Sequence, residues 1–143
     1  MLPLINPSSN TTPYPIGLSI PIQRGSAGYF DQTYDTVSQT KMNIMNLLNT
    51  VRGERRFQPL FGSGLQSALF EQNLSNSPDV LKQIITDDIN TWIPNVVITD
   101  IEFNLQGTDS NTLIDNYIVY IKILFTVNNV KDSINLVLQQ NGI

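Results

Sequence analysis

Residues 117–139 read Tyr-Ile-Val-Tyr-Ile-Lys-Ile-Leu-Phe-Thr-Val-Asn-Asn-Val-Lys-Asp-Ser-Ile-Asn-Leu-Val-Leu-Gln. Successive side chains of an extended chain alternate faces. Tyr117, Val119, Ile121, Ile123, Phe125 and Val127 therefore line one side of a long strand. The other side carries Ile118, Tyr120 and Leu124, broken by Lys122, so it is partly covered as well. Asn128-Asn129 is a turn signal, and Ile134, Leu136 and Leu138 alternate along a final strand over about 132–139. Upstream, Ile101, Phe103 and Leu105 alternate with Asp100, Glu102 and Asn104, and Gly107 to Asn111 forms a turn. Three adjacent antiparallel strands are the expectation for the last third of the chain.

Ahead of these strands the period changes to that of helices. Val37, Met42, Ile44, Leu47, Leu48 and Val51 are spaced mainly by three, four and seven, as on one helix face. This predicts a helix over about 33–51, with Gly53 as its stop. Ser77-Pro78-Asp79 reads as a second start, with Ser at N-cap, Pro at N1 and an acid in the first turn. Val80, Leu81, Ile84, Ile85, Ile89 and Trp92 form its stripe, and Pro94 ends it. A short helix over about 65–71 lies between, with Leu65, Leu69 and Phe70 facing inward. Helices followed by strands give an α+β domain, with two or three helices on one face of a small, mainly antiparallel three-stranded sheet.

The segment between the first two helices, 53–71, is the densest in unusual features. Three of the eight basic residues fall at Arg52, Arg55 and Arg56. Pro59, Gly62 and Gly64 forbid a continuous helix, and Phe57, Leu60 and Phe61 imply a loop that is packed down. The glycines make no phosphate loop, because no Lys-Ser/Thr follows. At the other end, residues 1–16 hold four of the eight prolines. They read either as a tail or as an extended arm lying on a neighbouring subunit through Leu2, Leu4, Ile5, Tyr14 and Ile16. They lack the basic and continuous apolar regions of a signal peptide. Residues 17–143 read as one domain. Within them, Leu18, Ile20 and Ile22 suggest a short strand that Pro21 confines to an edge, and Gly25, Ser26 and Gly28 a turn.

Composition narrows the chemistry. The chain has 143 residues, 41% of them hydrophobic and 14% charged, with Asn occurring sixteen times. A single domain of this size buries roughly 70% of its unfolded surface. No apolar run is long enough to cross a membrane. Without cysteine or histidine, thiolate nucleophiles, zinc–thiolate and haem–His sites and His-based triads are excluded. A net charge of −4 argues against nucleic acid or an anionic membrane as partner.

The stretch Asn46-Leu47-Leu48-Asn49-Thr50-Val51-Arg52-Gly53-Glu54-Arg55-Arg56-Phe57-Gln58-Pro59-Leu60-Phe61-Gly62-Ser63-Gly64-Leu65, continued by Leu69-Phe70-Glu71, resembles the baseplate wedge subunits of contractile phage tails, a family shared with contractile injection and type VI secretion machines. Their mark is a Leu-Leu helix, then G-x-R-x-F-x-P-x-F-G-x-x-L, then L-F-E. Here it falls on Gly53, Arg55, Phe57, Pro59, Phe61, Gly62, Leu65 and Leu69-Phe70-Glu71, and the likeness spans about residues 33–140.

The resemblance implies a virion structural protein assembled in the host cytoplasm, in several copies of a sixfold baseplate. It would be clamped to the core bundle of larger wedge proteins. Its sheet would resemble the strand-sharing domain of sheath subunits and template the first sheath ring. The family often carries Glu-Pro-Arg after the second helix, where this chain has Ile93-Pro94-Asn95. Docking there would then be apolar, through Trp92 and Ile93 beside Asn95. Arg52, Arg55 and Arg56 read either as a solvated loop or as forks that pair bidentately with partner carboxylates. The final strand, with Ile134, Leu136 and Leu138, reads either as an ordinary edge or as one that a neighbour's strand joins. Phe57, Phe61 and Phe70 read as core anchors.

Some relatives carry a lysozyme-like label, and a glycosidase needs two carboxylates about 5–9.5 Å apart, one of them a general acid. The candidates are Glu54, Glu71, Asp87 and Asp88. Glu54 stands among arginines, which favour the carboxylate over the acid. Asp87 and Asp88 diverge on a helix and read as solvated charges. Asp100 and Glu102 share a strand face, but Asn104 stands where a metal nuclease would place Lys. The expectation is a non-enzyme without cofactor or metal. A lysozyme-like glycosidase and a small independent binding module are the alternatives.

Overall fold

The computed structural model describes residues 14–25, 29–70, 78–106 and 118–139. A two-stranded antiparallel ribbon comes first, β1 (Gly17–Leu18) against β2 (Gln32–Thr33). Helices α1 (Thr36–Asn49), α2 (Leu65–Phe70) and α3 (Pro78–Trp92) follow, then strands β3 (Val97–Gln106), β4 (Ile118–Val127) and β5 (Val130–Gln139). The main sheet has the order β3-β4-β5, all antiparallel, so β3 and β5 are its edges. α1 packs on β5 and α3, and α3 packs on β3 and α2. The α+β expectation therefore holds. Among the described residues, no helix is long and apolar enough to cross a membrane.

The β4–β5 hairpin is set by its turn. Asn128 and Asn129 both adopt positive φ, 49° and 64°, which the two-residue hairpins matching strand twist require and which Asn tolerates. Val127 then faces Val130, Phe125 faces Asp132, and Ile123 faces Ile134. Every second residue from Val119 to Val127 is buried, as are Ile134, Leu136 and Leu138. Burial of each such side chain contributes about 1.5–3 kcal/mol. β3 reaches the same face despite a broken period. Ile98 and Ile101 are three apart, yet face Phe125 and Ile123, because the register slips between Ile98 and Asp100. The extra residue, Thr99, is a bulge that returns both isoleucines to the core side.

Two helix boundaries differ from the sequence reading. α1 starts at Thr36 because Thr33 is taken by the pairing of β2 with Gly17, while the Asp35 carboxylate accepts from Ser38 N at 2.8 Å and caps the helix. It ends at Asn49, with Thr50 extended, so Gly53 is not its stop. The strand expected around Leu18 shrinks to two residues. The expected turns at 25–28 and 107–111, the Ser77 cap, Glu71, Tyr117, the side chains of Phe70 and Leu105, and most of the N-terminal arm lie wholly or partly outside the described residues.

Candidate functional site

Between α1 and α2 the chain makes a closed loop, and the residues that close it are those of the arginine-rich segment. Thr50 O accepts from Ser63 N at 2.8 Å, and Val51 and Ser63 form a single parallel bridge. Gly53 N donates to Pro59 O at 2.9 Å across the loop. Turns within it are held by Glu54 N to Val51 O, Gln58 N to Arg55 O and Phe61 N to Gln58 O. The Glu54 carboxylate turns back to accept from Val51 N at 3.1 Å. Gly62 has a φ of 124°, and a Cβ there would stand 2.6 Å from Thr50 O. Glycine is required by both conformation and space.

Asp88 fastens this loop to α3. Its carboxylate is 1% exposed and accepts from Ser63 Oγ at 2.6 Å and Gly64 N at 3.3 Å. Ser63 Oγ in turn accepts from Leu65 N at 3.1 Å, in the first turn of α2. The Arg52 guanidinium supplies the ion pair. Asp88 is thus no solvated charge, which corrects the sequence reading. The signal was present in the spacing, because Leu81, Ile85, Asp88 and Ile89 fall on the buried stripe of α3. A carboxylate on such a stripe has to be paired.

The other arginines divide. Arg55 lies over the Phe61 ring, 4.1 Å from guanidinium carbon to centroid, and donates to Asn46 Oδ1 at 3.2 Å. Phe61 meets Trp92 edge-on, with centroids 5.2 Å apart. Arg55, Phe61 and Trp92 therefore form a second brace between loop and α3. Arg56 makes no ion pair or side-chain hydrogen bond to any described residue, and it is exposed. Phe57 is 99% exposed and Leu60 78%. The expectation that they pack down is overturned: the backbone bonds and the two braces hold the loop, so these side chains are not needed as anchors. Ile93 is half-buried against the core, and Asn95 is exposed.

The β5 edge also reads differently in detail. Ile134, Leu136 and Leu138 point into the core, so their side chains are not presented at a free surface. In a two-residue hairpin the flanking pair exchanges both backbone bonds, and every second pair follows suit. With Val127 opposite Val130, the outward backbone groups belong to Lys131, Ser133, Asn135 and Val137. Ser133 N is occupied by the Asp132 carboxylate at 2.7 Å, and Asp132 pairs with Lys41 at 3.5 Å. The other edge is treated alike, with Ile101 N bound to Asp100 Oδ1 at 2.7 Å. Among the described residues no partner holds the outward backbone groups of Lys131, Asn135 and Val137, and beyond Ser133 the open edge runs through Asn135 and Val137.

The remaining carboxylates are dispersed. Asp100 pairs with Lys82 at 3.7 Å and Glu102 with Lys122 at 3.3 Å. Among the described residues, no three His, Cys, Asp or Glu side chains converge on a metal-sized site.

An α+β domain, with a helix layer on a three-stranded antiparallel sheet and a braced loop beside it, is the class that this geometry defines. Residues 37–138 match the family model described as baseplate wedge protein gp25, and the chain belongs to that family. Among curated proteins no sequence matches this one. Among the solved structures that share the fold are two of low sequence identity. A chain of the anti-feeding prophage baseplate, seen by cryo-EM with sixfold symmetry imposed, is 16% identical with a TM-score of 0.57, over 79% of this chain and 85% of its own. A Geobacter sulfurreducens protein described as a candidate tail lysozyme is 17% identical with a TM-score of 0.50, over 76% of this chain and 93% of its own.

Proposed function

We propose that the protein is a structural subunit of a contractile-tail baseplate in the virion, held by other baseplate proteins and offering its sheet to the first ring of sheath subunits. Family membership carries this reading, and the fold likeness to a baseplate chain supports it. Docking to a core bundle would use the loop of Arg52, Arg55 and Arg56 together with the adjoining α3 end at Trp92, Ile93 and Asn95. Arg52 and Arg55 serve it by fixing the loop, which leaves Arg56 as the cation for a partner. Several copies would be needed in a sixfold assembly, with residues 1–16 as an arm onto a neighbour. The protein would catalyse nothing and need no cofactor.

A glycosidase reading draws on the candidate tail lysozyme of like fold. Two of the four candidate carboxylates speak against carrying it over. Asp88 is buried and spent on Arg52, Ser63 and Gly64, and Glu54 is spent on Val51 N.

Sheath templating would operate through the backbone of β5 at Asn135 and Val137. Val137→Pro tests it. The substitution removes an outward N–H while leaving the bonds to β4, and proline is tolerated on such an edge. The folded monomer should persist, and sheath growth on purified baseplates should fall. Normal growth with the variant incorporated refutes the strand-sharing role.

A further inference from the structure

We propose that Phe57 and Leu60, carried beside Arg56 at the end of the 52–61 loop, form a preorganised plug that seats in an apolar cleft rimmed by carboxylates on a partner protein. This rests on the docking reading above and names the chemistry of the surface that receives it.

The apolar side chains come first. Single exposed hydrophobic residues are ordinary. Here an almost fully exposed Phe57 and a largely exposed Leu60 stand three positions apart in one closed loop. Neither contributes to holding that loop, since backbone bonds, the Arg52–Asp88 pair and the Arg55–Phe61–Trp92 stack do so without them. Such bracing keeps the loop from losing further freedom on contact, and that loss is a principal cost of association. An aromatic on a fixed backbone is the kind of residue that dominates interface energetics.

The charge selects the partner. The chain carries a net charge of −4, yet three of its eight basic residues lie between positions 52 and 56. The guanidiniums of Arg52 and Arg55 are engaged inside the molecule, and the nearby Glu54 carboxylate is turned onto Val51 N. Arg56, next to Phe57, is exposed and pairs with no carboxylate among the described residues. An acidic surface is repelled by the protein as a whole and attracted at this loop, which fixes the orientation of approach as well as the contact.

Baseplates assembled without this chain, and the purified full-length protein added to them, provide the test. The double variant Phe57→Ser, Leu60→Ser should melt at the wild-type temperature, because neither side chain supports the fold, and should bind about thirtyfold or more weakly. Arg56→Glu should weaken binding similarly. Wild-type binding should decline between about 50 and 300 mM salt, as screening shortens the reach of the charges. Phe57→p-benzoylphenylalanine, photolysed on the assembled particle, should cross-link to a partner segment flanked by Asp or Glu. If the wild type binds and the variants bind equally well, the plug is wrong and the docking reading stands. If the wild type does not bind at all, both fall. Cross-links to lipid, to a second copy of this chain or to a surface without carboxylates overturn the plug.

Discussion

Asp88 and Phe57 are the two residues at which position in the fold and chemical character disagree most sharply. A carboxylate sits inside, and an aromatic ring stands outside. Removing the Asp88 carboxylate strands Ser63 Oγ and Gly64 N as donors and turns the half-exposed Arg52 out to water. Asp88→Ala should therefore cost about 2–4 kcal/mol, since two donors near the core lose their acceptor at once. Arg52→Ala should cost less, about 1–3 kcal/mol, because the arginine side chain is 56% exposed and water can take its place. Chemical denaturation of the two variants checks the ordering, and equal, small losses would show that the carboxylate does not fasten the loop. Gly62→Ala should lose about 1–3 kcal/mol through positive φ alone, with the close approach to Thr50 O adding to it. The burial of Asp88 was legible in the spacing of α3. The exposure of Phe57 was not, because a sequence shows that a loop is rich in apolar residues but not which of them the backbone closure makes unnecessary.

Elements follow the sequence where period is strong and part from it where a partner decides. The inward face of β4, the Asn128-Asn129 turn and the stripe of α3 are periodic or positional signals and were readable. The start of α1 was not, since it depends on Thr33 pairing with Gly17 and on Asp35 finding Ser38 N. Asp35→Ala should cost about 1 kcal/mol, the usual worth of an N-cap. Its carboxyl is held below the ordinary range, first by the Ser38 side chain and then by the Ser38 backbone N–H. A carboxyl whose folded value is depressed stabilises the protein fully above its unfolded value of about 3.9 and loses that contribution as the pH falls through the folded one. The cap should therefore hold at neutral pH and fade in acid below about pH 4, and denaturation curves of wild type and Asp35→Ala should converge there. The β3 bulge was invisible for a similar reason, because nothing in Ile98-Thr99-Asp100-Ile101 announces which residue is extra. Deleting Thr99 should leave Ile98 and Ile101 both facing the core, as a regular ladder would place them. Deleting Asn104 should instead turn one side of the strand to the wrong face. Thermal melts should rank the Thr99 deletion as the milder, and the reverse order would contradict the register.

At the scale of the molecule, a well-covered core is combined with surfaces that the described residues leave open. These are a braced loop that presents Arg56, Phe57 and Leu60, and a strand edge whose backbone at Asn135 and Val137 is claimed by no described residue. Under the proposed reading, which rests on membership of the baseplate wedge family, both surfaces meet other chains of the particle. The most direct measurement is a cryo-EM reconstruction of the assembled particle with this chain located in it. The account predicts that residues 56–60 are covered by a neighbouring polypeptide and that a strand from another chain runs alongside β5. A complete baseplate with no density for this chain, or one in which both surfaces face solvent, would contradict it.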